Sequence, residues 1–188
     1  MYQWNNEKRL KNLKAKGQNN ILTFEAGKEK AKVYLKNRDI EKVIFSLSQN
    51  EWIITKDQRH HVVVGEKNTQ RDVYHYFKKG GPAPTMRIGI TKHKGVGTWS
   101  SLPHPFELQP ETGFEEVFFY LLKGGTKRAL QIGRGVWYNK TPVDSVWPVN
   151  DHSFSVIPMG YHPIVAEPSV YVSYVWVYLA KKAEWEKL

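Results

Sequence analysis

Short runs of alternating apolar and polar residues, broken by Gly, Pro and Asn, fill most of the chain. In the first half they are NILTFEAG, KAKVYLK, EKVIFSLS, EWIITK, HHVVVG, DVYHYF and MRIGITKH. In the second they are EEVFFYLL, RALQIGRGVWY, SFSVIPMG, HPIVAE and YVSYVWVYL. Each is β-branched or aromatic and of strand length, and KKGGPAP, LKGGTK and PVND between them carry turn chemistry. Many short strands with regular turns and little helix predict an all-β barrel or sandwich. Two stretches read instead as helix: residues 5–17, basic and ending at Gly17, and the tail AKKAEWEKL. The KGGP and KGGT stretches lack phosphate-loop spacing and read as hairpin turns.

Composition sharpens this picture. The 188 residues are 40% hydrophobic and 13% aromatic, enough for a packed core. Cysteine is absent, which excludes disulfides, thiolate metal sites and a cysteine nucleophile. With no apolar signal region at the start and no apolar run approaching the ~18 residues of a membrane span, the expectation is a cytoplasmic protein without a membrane partner. Residues 1–94 carry 20 Lys/Arg against 9 Asp/Glu, and residues 95–188 carry 8 against 9. The excess is lysine interleaved with glutamate, as in AGKEKAKVYLKNRDIEK, which reads as a solvated face before it reads as a nucleic-acid surface. A composition shift near residues 58–62 divides a basic extension, 1–60, from a denser segment, 61–188.

Three later segments carry candidate chemistry. WSSLPHPFE holds His104 between two prolines, GFEEVFFYLLKGG holds Glu115 and Glu116, and VIPMGYHPIVAEP holds His162. Strand periodicity places Glu116, Phe118 and Tyr120 on one face and Val117, Phe119 and Leu121 on the other. Histidines and a carboxylate directed into a barrel from separate strands make a divalent-metal site, for which Zn, Mn, Fe or Ni suits the donors. Read singly, each histidine also fits an ordinary turn or strand end, and Glu116 fits a solvated strand end.

The order of VVGEKNTQRDVYHYF, GTWSSLPHPFE, EEVFFYLL, VIPMGYHPIVAEP and YVSYVWVYLA resembles the 5-deoxy-glucuronate isomerase family of inositol breakdown, and more distantly the 5-keto-4-deoxyuronate isomerases. The resemblance covers about residues 62 to 180. It implies a cupin-type β-barrel, a double-stranded β-helix, with residues 1–60 as the remnant of a first cupin half, and a homo-oligomer. It implies aldose–ketose isomerisation of a deoxy-uronate-like sugar acid at a divalent metal. The family's metal ligands map onto His104, Glu116 and His162. Its second motif histidine falls on Phe106, with Glu107 next to it as a substitute oxygen ligand. Tyr120 and Tyr161 stand as acid/base candidates. Arg71, Arg87, Arg128 and Arg134 stand as cations for the substrate carboxylate, with the sequence alone not choosing among them, and Gln131 as a further substrate contact. The loss of a histidine at Phe106 supports an alternative, a sugar-binding or regulatory cupin without turnover. Nucleic-acid binding through the basic half is a third reading.

Overall fold

The computed structural model describes residues 2–77, 80–100 and 114–180. A short first strand, β1 (Gln3–Asn5), is followed by the meander β2 (Lys14–Gln18), β3 (Ile21–Ala26), β4 (Glu29–Lys36), β5 (Asp39–Leu47) and β6 (Asn50–Thr55). Then come β7 (His60–Val64), β8 (Arg71–Phe77), β9 (Met86–His93), β10 (Trp99–Ser100) and β11 (Glu115–Tyr120). The chain continues through β12 (Arg128–Val136), β13 (Pro142–Asn150), β14 (Ser153–Ile157), β15 (Met159–Tyr161), β16 (Ile164–Ala166) and β17 (Ser173–Leu179).

The meander β2 to β6 forms one sheet in sequence order. A seven-stranded sheet runs β1-β14-β11-β17-β9-β8-β7, and a third runs β10-β16-β12-β13 with β15 also on β12. Within the last two, the orders β9-β17-β11-β14 and β10-β16-β12-β13 are the two facing sheets of a jelly roll, the architecture of cupins. The all-β cupin-type barrel expected from the sequence is the fold observed.

The central strands β9, β17, β11 and β14 of the seven-stranded sheet are buried on both faces, which explains why they read as near-continuous apolar runs. Val117 and Phe119 of β11, Val175 and Val177 of β17, and Ile88 and Ile90 of β9 meet Leu22, Phe24, Val33, Val43 and Phe45 of the meander. The alternate residues Phe118, Tyr120, Tyr174, Trp176 and Tyr178 line the barrel interior with Ile157 and Ile164. Gly89 makes room for one of them: a Cβ there would lie 2.1 Å from Cζ2 of Trp176, its cross-strand partner.

The helix expected over residues 5–17 does not form. A single 3-10 turn, Glu7–Arg9, leads into strand β2 instead. The reason lies about a hundred residues away. The Glu115 carboxylate accepts hydrogen bonds from the backbone N–H groups of Lys11, Asn12 and Leu13, each at 2.9 Å, and so fixes them in an extended course. Gly17 is a strand glycine, where a Cβ would lie 2.7 Å from the Tyr2 ring. The expected helical tail lies outside the described residues except for Ala180.

Candidate functional site

The barrel interior gathers the polar groups that the apolar strands cannot otherwise solvate. Alternation along β11 decides the fate of two neighbouring carboxylates. Glu115 faces the inter-sheet core and is consumed by the N-terminal backbone, and Asn12 Nδ2 adds a bond at 2.7 Å. Glu116 faces the barrel, 5% exposed. His162, 3% exposed, follows β15 and reaches the same interior, with its Nε2 3.9 Å from Glu116 Oε2.

The His162 ring is oriented before any ligand arrives. Its Nδ1–H donates to the Gly160 carbonyl at 2.6 Å, and its edge meets the Phe118 ring at 5.9 Å. Gly160 holds φ 135°, where a Cβ would lie 2.3 Å from the Arg134 carbonyl oxygen. Burial pushes the His162 pKa down to about 4, aided by the positive charge of Arg71 and opposed by the Gly160 carbonyl. The ring is therefore neutral at pH 7, with the lone pair on Nε2. The imidazole Nε2 thus faces the Glu116 carboxyl across 3.9 Å, and both groups are of donor types that divalent cations take. This donor set fits Zn, Mn, Fe or Ni. Among the described residues no group of three or more His, Cys, Asp or Glu forms a metal cluster. His104, Phe106 and Glu107 lie outside the described residues.

Tyr120 and Gln131 join this centre from the wall. The fully buried Tyr120 hydroxyl donates to Gln131 Oε1 at 2.9 Å, and burial keeps its pKa well above the ordinary tyrosine value. Gln131 Nε2 donates to the carbonyls of His162 at 2.8 Å and Pro163 at 3.1 Å. Gln131 therefore fixes the backbone that carries the histidine. Tyr161 pairs in register with Arg134, half-buried and on the opposite side of β15 from this centre. The side chains of Arg134, 71% exposed, and Arg128, 54% exposed, lie outside the barrel near Asp144 and Glu167. Arg71, by contrast, is buried at the start of β8.

A second polar cluster inside the barrel escaped the sequence reading. His93 Nδ1 lies 2.7 Å from Thr98 Oγ1, and its Nε2 lies 2.9 Å from Ser100 Oγ. The His93 ring meets Tyr174 at 6.0 Å, and Trp176 Nε1 donates to Thr91 at 3.1 Å. The signal was present in MRIGITKH: alternation puts Arg87, Gly89, Thr91 and His93 on the face opposite Ile88 and Ile90. Burial, reinforced by Arg71, pushes the His93 pKa down to about 3. The unfolded chain therefore takes up a proton near pH 6.5 that the folded chain refuses, and this site's stability is lost as pH falls from there toward 3. His93→Gln keeps hydrogen-bonding capacity but cannot titrate. Between pH 7 and 4.5 the wild type should lose about 2–3 kcal/mol more unfolding free energy than the variant, read by urea titration. A difference between the two that stays constant with pH would refute this account.

Fold and site together define a jelly-roll barrel with a buried, pre-oriented histidine–carboxylate pair. The sequence model of the KduI/IolB family matches residues 17–188, and the chain belongs to that family. It is 27% identical over 114 residues to the 5-deoxy-glucuronate isomerase of Bacillus subtilis and 28% identical to that of Halalkalibacterium halodurans over the same length. Each match covers 58% of this chain and 41% of the relative, so the chain spans under half the length of the curated relatives it matches. A crystal structure of an IolB-like protein from Salmonella typhimurium superposes with a TM-score of 0.61 at 18% identity, covering 93% of this chain and 73% of that one. That likeness shows the same fold.

Proposed function

We propose that this chain interconverts the aldose and ketose forms of a deoxy-uronate-like sugar acid, with Glu116 and His162 as two ligands of a divalent metal. The observation that carries the reading is the Glu116–His162 pair, 3.9 Å apart inside the barrel with the histidine tautomer already set. Kinship with the 5-deoxy-glucuronate isomerases supports the substrate class. His104 and Glu107 are the remaining candidate ligands. A bound metal would supply polarisation of the substrate carbonyl and stabilisation of the oxyanion that develops there.

The reaction moves a proton between adjacent carbons through an enediolate, so the chain must hold a proton near both carbons. Of the two tyrosines singled out, Tyr120 has the interior position. Burial raises its pKa, so the hydroxyl stays protonated at neutral pH and is not a base. Gln131 accepts from that hydroxyl and keeps His162 in place, which couples the acid to the ligand. The apolar wall of Phe118, Tyr174 and Trp176 excludes bulk water and strengthens each of these contacts.

Conversion of 5-deoxy-glucuronate, followed by NMR on protein loaded in turn with Zn, Mn, Fe and Ni, tests the reading. Aldose–ketose exchange is the expected result. Binding of the sugar acid without exchange would overturn the reaction and favour the sugar-binding cupin, the reading that Phe106 supports.

A further inference from the structure

The barrel interior holds a buried cation that the metal pair does not use. Arg71 is 8% exposed, and its Nη1 donates to the Thr69 carbonyl at 2.9 Å. Among the described residues no carboxylate lies within ion-pair distance of it. A buried guanidinium without an anion is costly unless an anion completes the site in use. The groups beside it are neutral. His93 faces it in register across β8 and β9, and Ser100 and Thr98 are bonded to that ring.

A continuous aromatic floor leads from this end of the barrel to the other. The His93 ring lies 6.0 Å from Tyr174, Tyr174 stacks on Phe118 at 4.4 Å, and Phe118 meets His162 at 5.9 Å. The exposed Arg128 and Arg134 have no such access.

We infer that Arg71 is the carboxylate anchor of the barrel: a sugar acid lies along the Tyr174–Phe118 floor with its carboxylate on the remaining N–H groups of the guanidinium and its far end at Glu116 and His162. The inference rests on the sugar-acid reading above and adds the residue that selects acid over neutral sugar. A planar fork of donors matches a carboxylate in two bonds, which an ammonium cannot reproduce.

The test is calorimetric titration of the full chain with D-glucuronate and with D-glucose, for the wild type, Arg71→Lys and Arg71→Met. The wild type should prefer the acid. Affinity for glucuronate should fall at least about thirtyfold in Arg71→Met and about tenfold in Arg71→Lys, with the response to glucose unchanged. If Arg71→Met fails to fold, as read by thermal melting, Arg71→Lys decides the matter, since it keeps the charge and loses only the fork. Wild-type affinity for glucuronate in the folded variants, or no acid preference in the wild type, overturns the inference. The isomerase assay fails separately: loss of acid preference in the variants with no sugar exchange by the wild type leaves the anchor standing and removes the reaction.

Discussion

On the metal-dependent isomerase reading proposed above, replacing His162 with Ala should strip divalent metal from the chain and lower kcat/KM for sugar-acid isomerisation on the order of a thousandfold. The size follows from what the ring supplies. Its lone pair on Nε2 is fixed by the Nδ1–H bond to Gly160 and directed at Glu116, 3.9 Å away. With a pKa pushed down to about 4 the ring is already neutral at pH 7, so binding a cation need not displace a proton from it. Alanine leaves Glu116 in a dry interior without this partner. Elemental mass spectrometry of purified wild type and variant gives the metal content independently of any assay. Near-stoichiometric metal retained by a folded His162→Ala chain would remove His162 from the ligand set, whatever the activity.

Much of this centre was legible from strand alternation. EEVFFY placed Glu116, Phe118 and Tyr120 on one face, and that face is the barrel interior. Alternation could not say that Glu115 would be taken up by the N-terminal backbone while Glu116 faces the barrel, because that depends on the backbone that Glu115 captures. The same contact hid the fate of residues 5–17. Their lysines and leucines suit a helix, but tertiary hydrogen bonds to a carboxylate distant in sequence outweigh that local preference. Periodicity likewise could not separate Arg71 from Arg134. Both stand on strands, yet one lies inside the barrel and the other on its outer face. Only the sheet order, β9-β17-β11-β14 against β10-β16-β12-β13, assigns inside and outside.

The basic first half proves in part to be structural, and Asp39→Asn should show it with a loss of about 3 kcal/mol in unfolding free energy. Asp39, on β5, meets Lys92 Nζ at 2.7 Å, Lys56 Nζ at 2.8 Å and Arg59 Nη1 at 3.2 Å. Burial alone would raise its pKa, but the lysine hydrogen bonds outweigh burial and hold it below the ordinary carboxylate value. The carboxylate thus stays charged at neutral pH, with its stabilisation lost only as pH falls below about 3.8 through the folded value. Asparagine leaves three cations around a neutral amide. Lys56 is half in water and contributes little, whereas Arg59 is partly buried, 3.7 Å above the Tyr74 ring. Breaking a buried pair by removing one partner costs roughly 3–5 kcal/mol, and the partial solvation of Lys92 places this case at the lower end. Lys92 lies on β9 of the barrel and Arg59 on the connection from β6 to β7, so the cluster ties the meander to the barrel over the core they share. Urea unfolding followed by tryptophan fluorescence and circular dichroism should therefore give one coincident transition at a lower midpoint with an unchanged slope. Two separated transitions in the variant would mean that the charges at Asp39, and not the apolar contacts between Phe45, Val43 and Ile90, make the two layers fold as one.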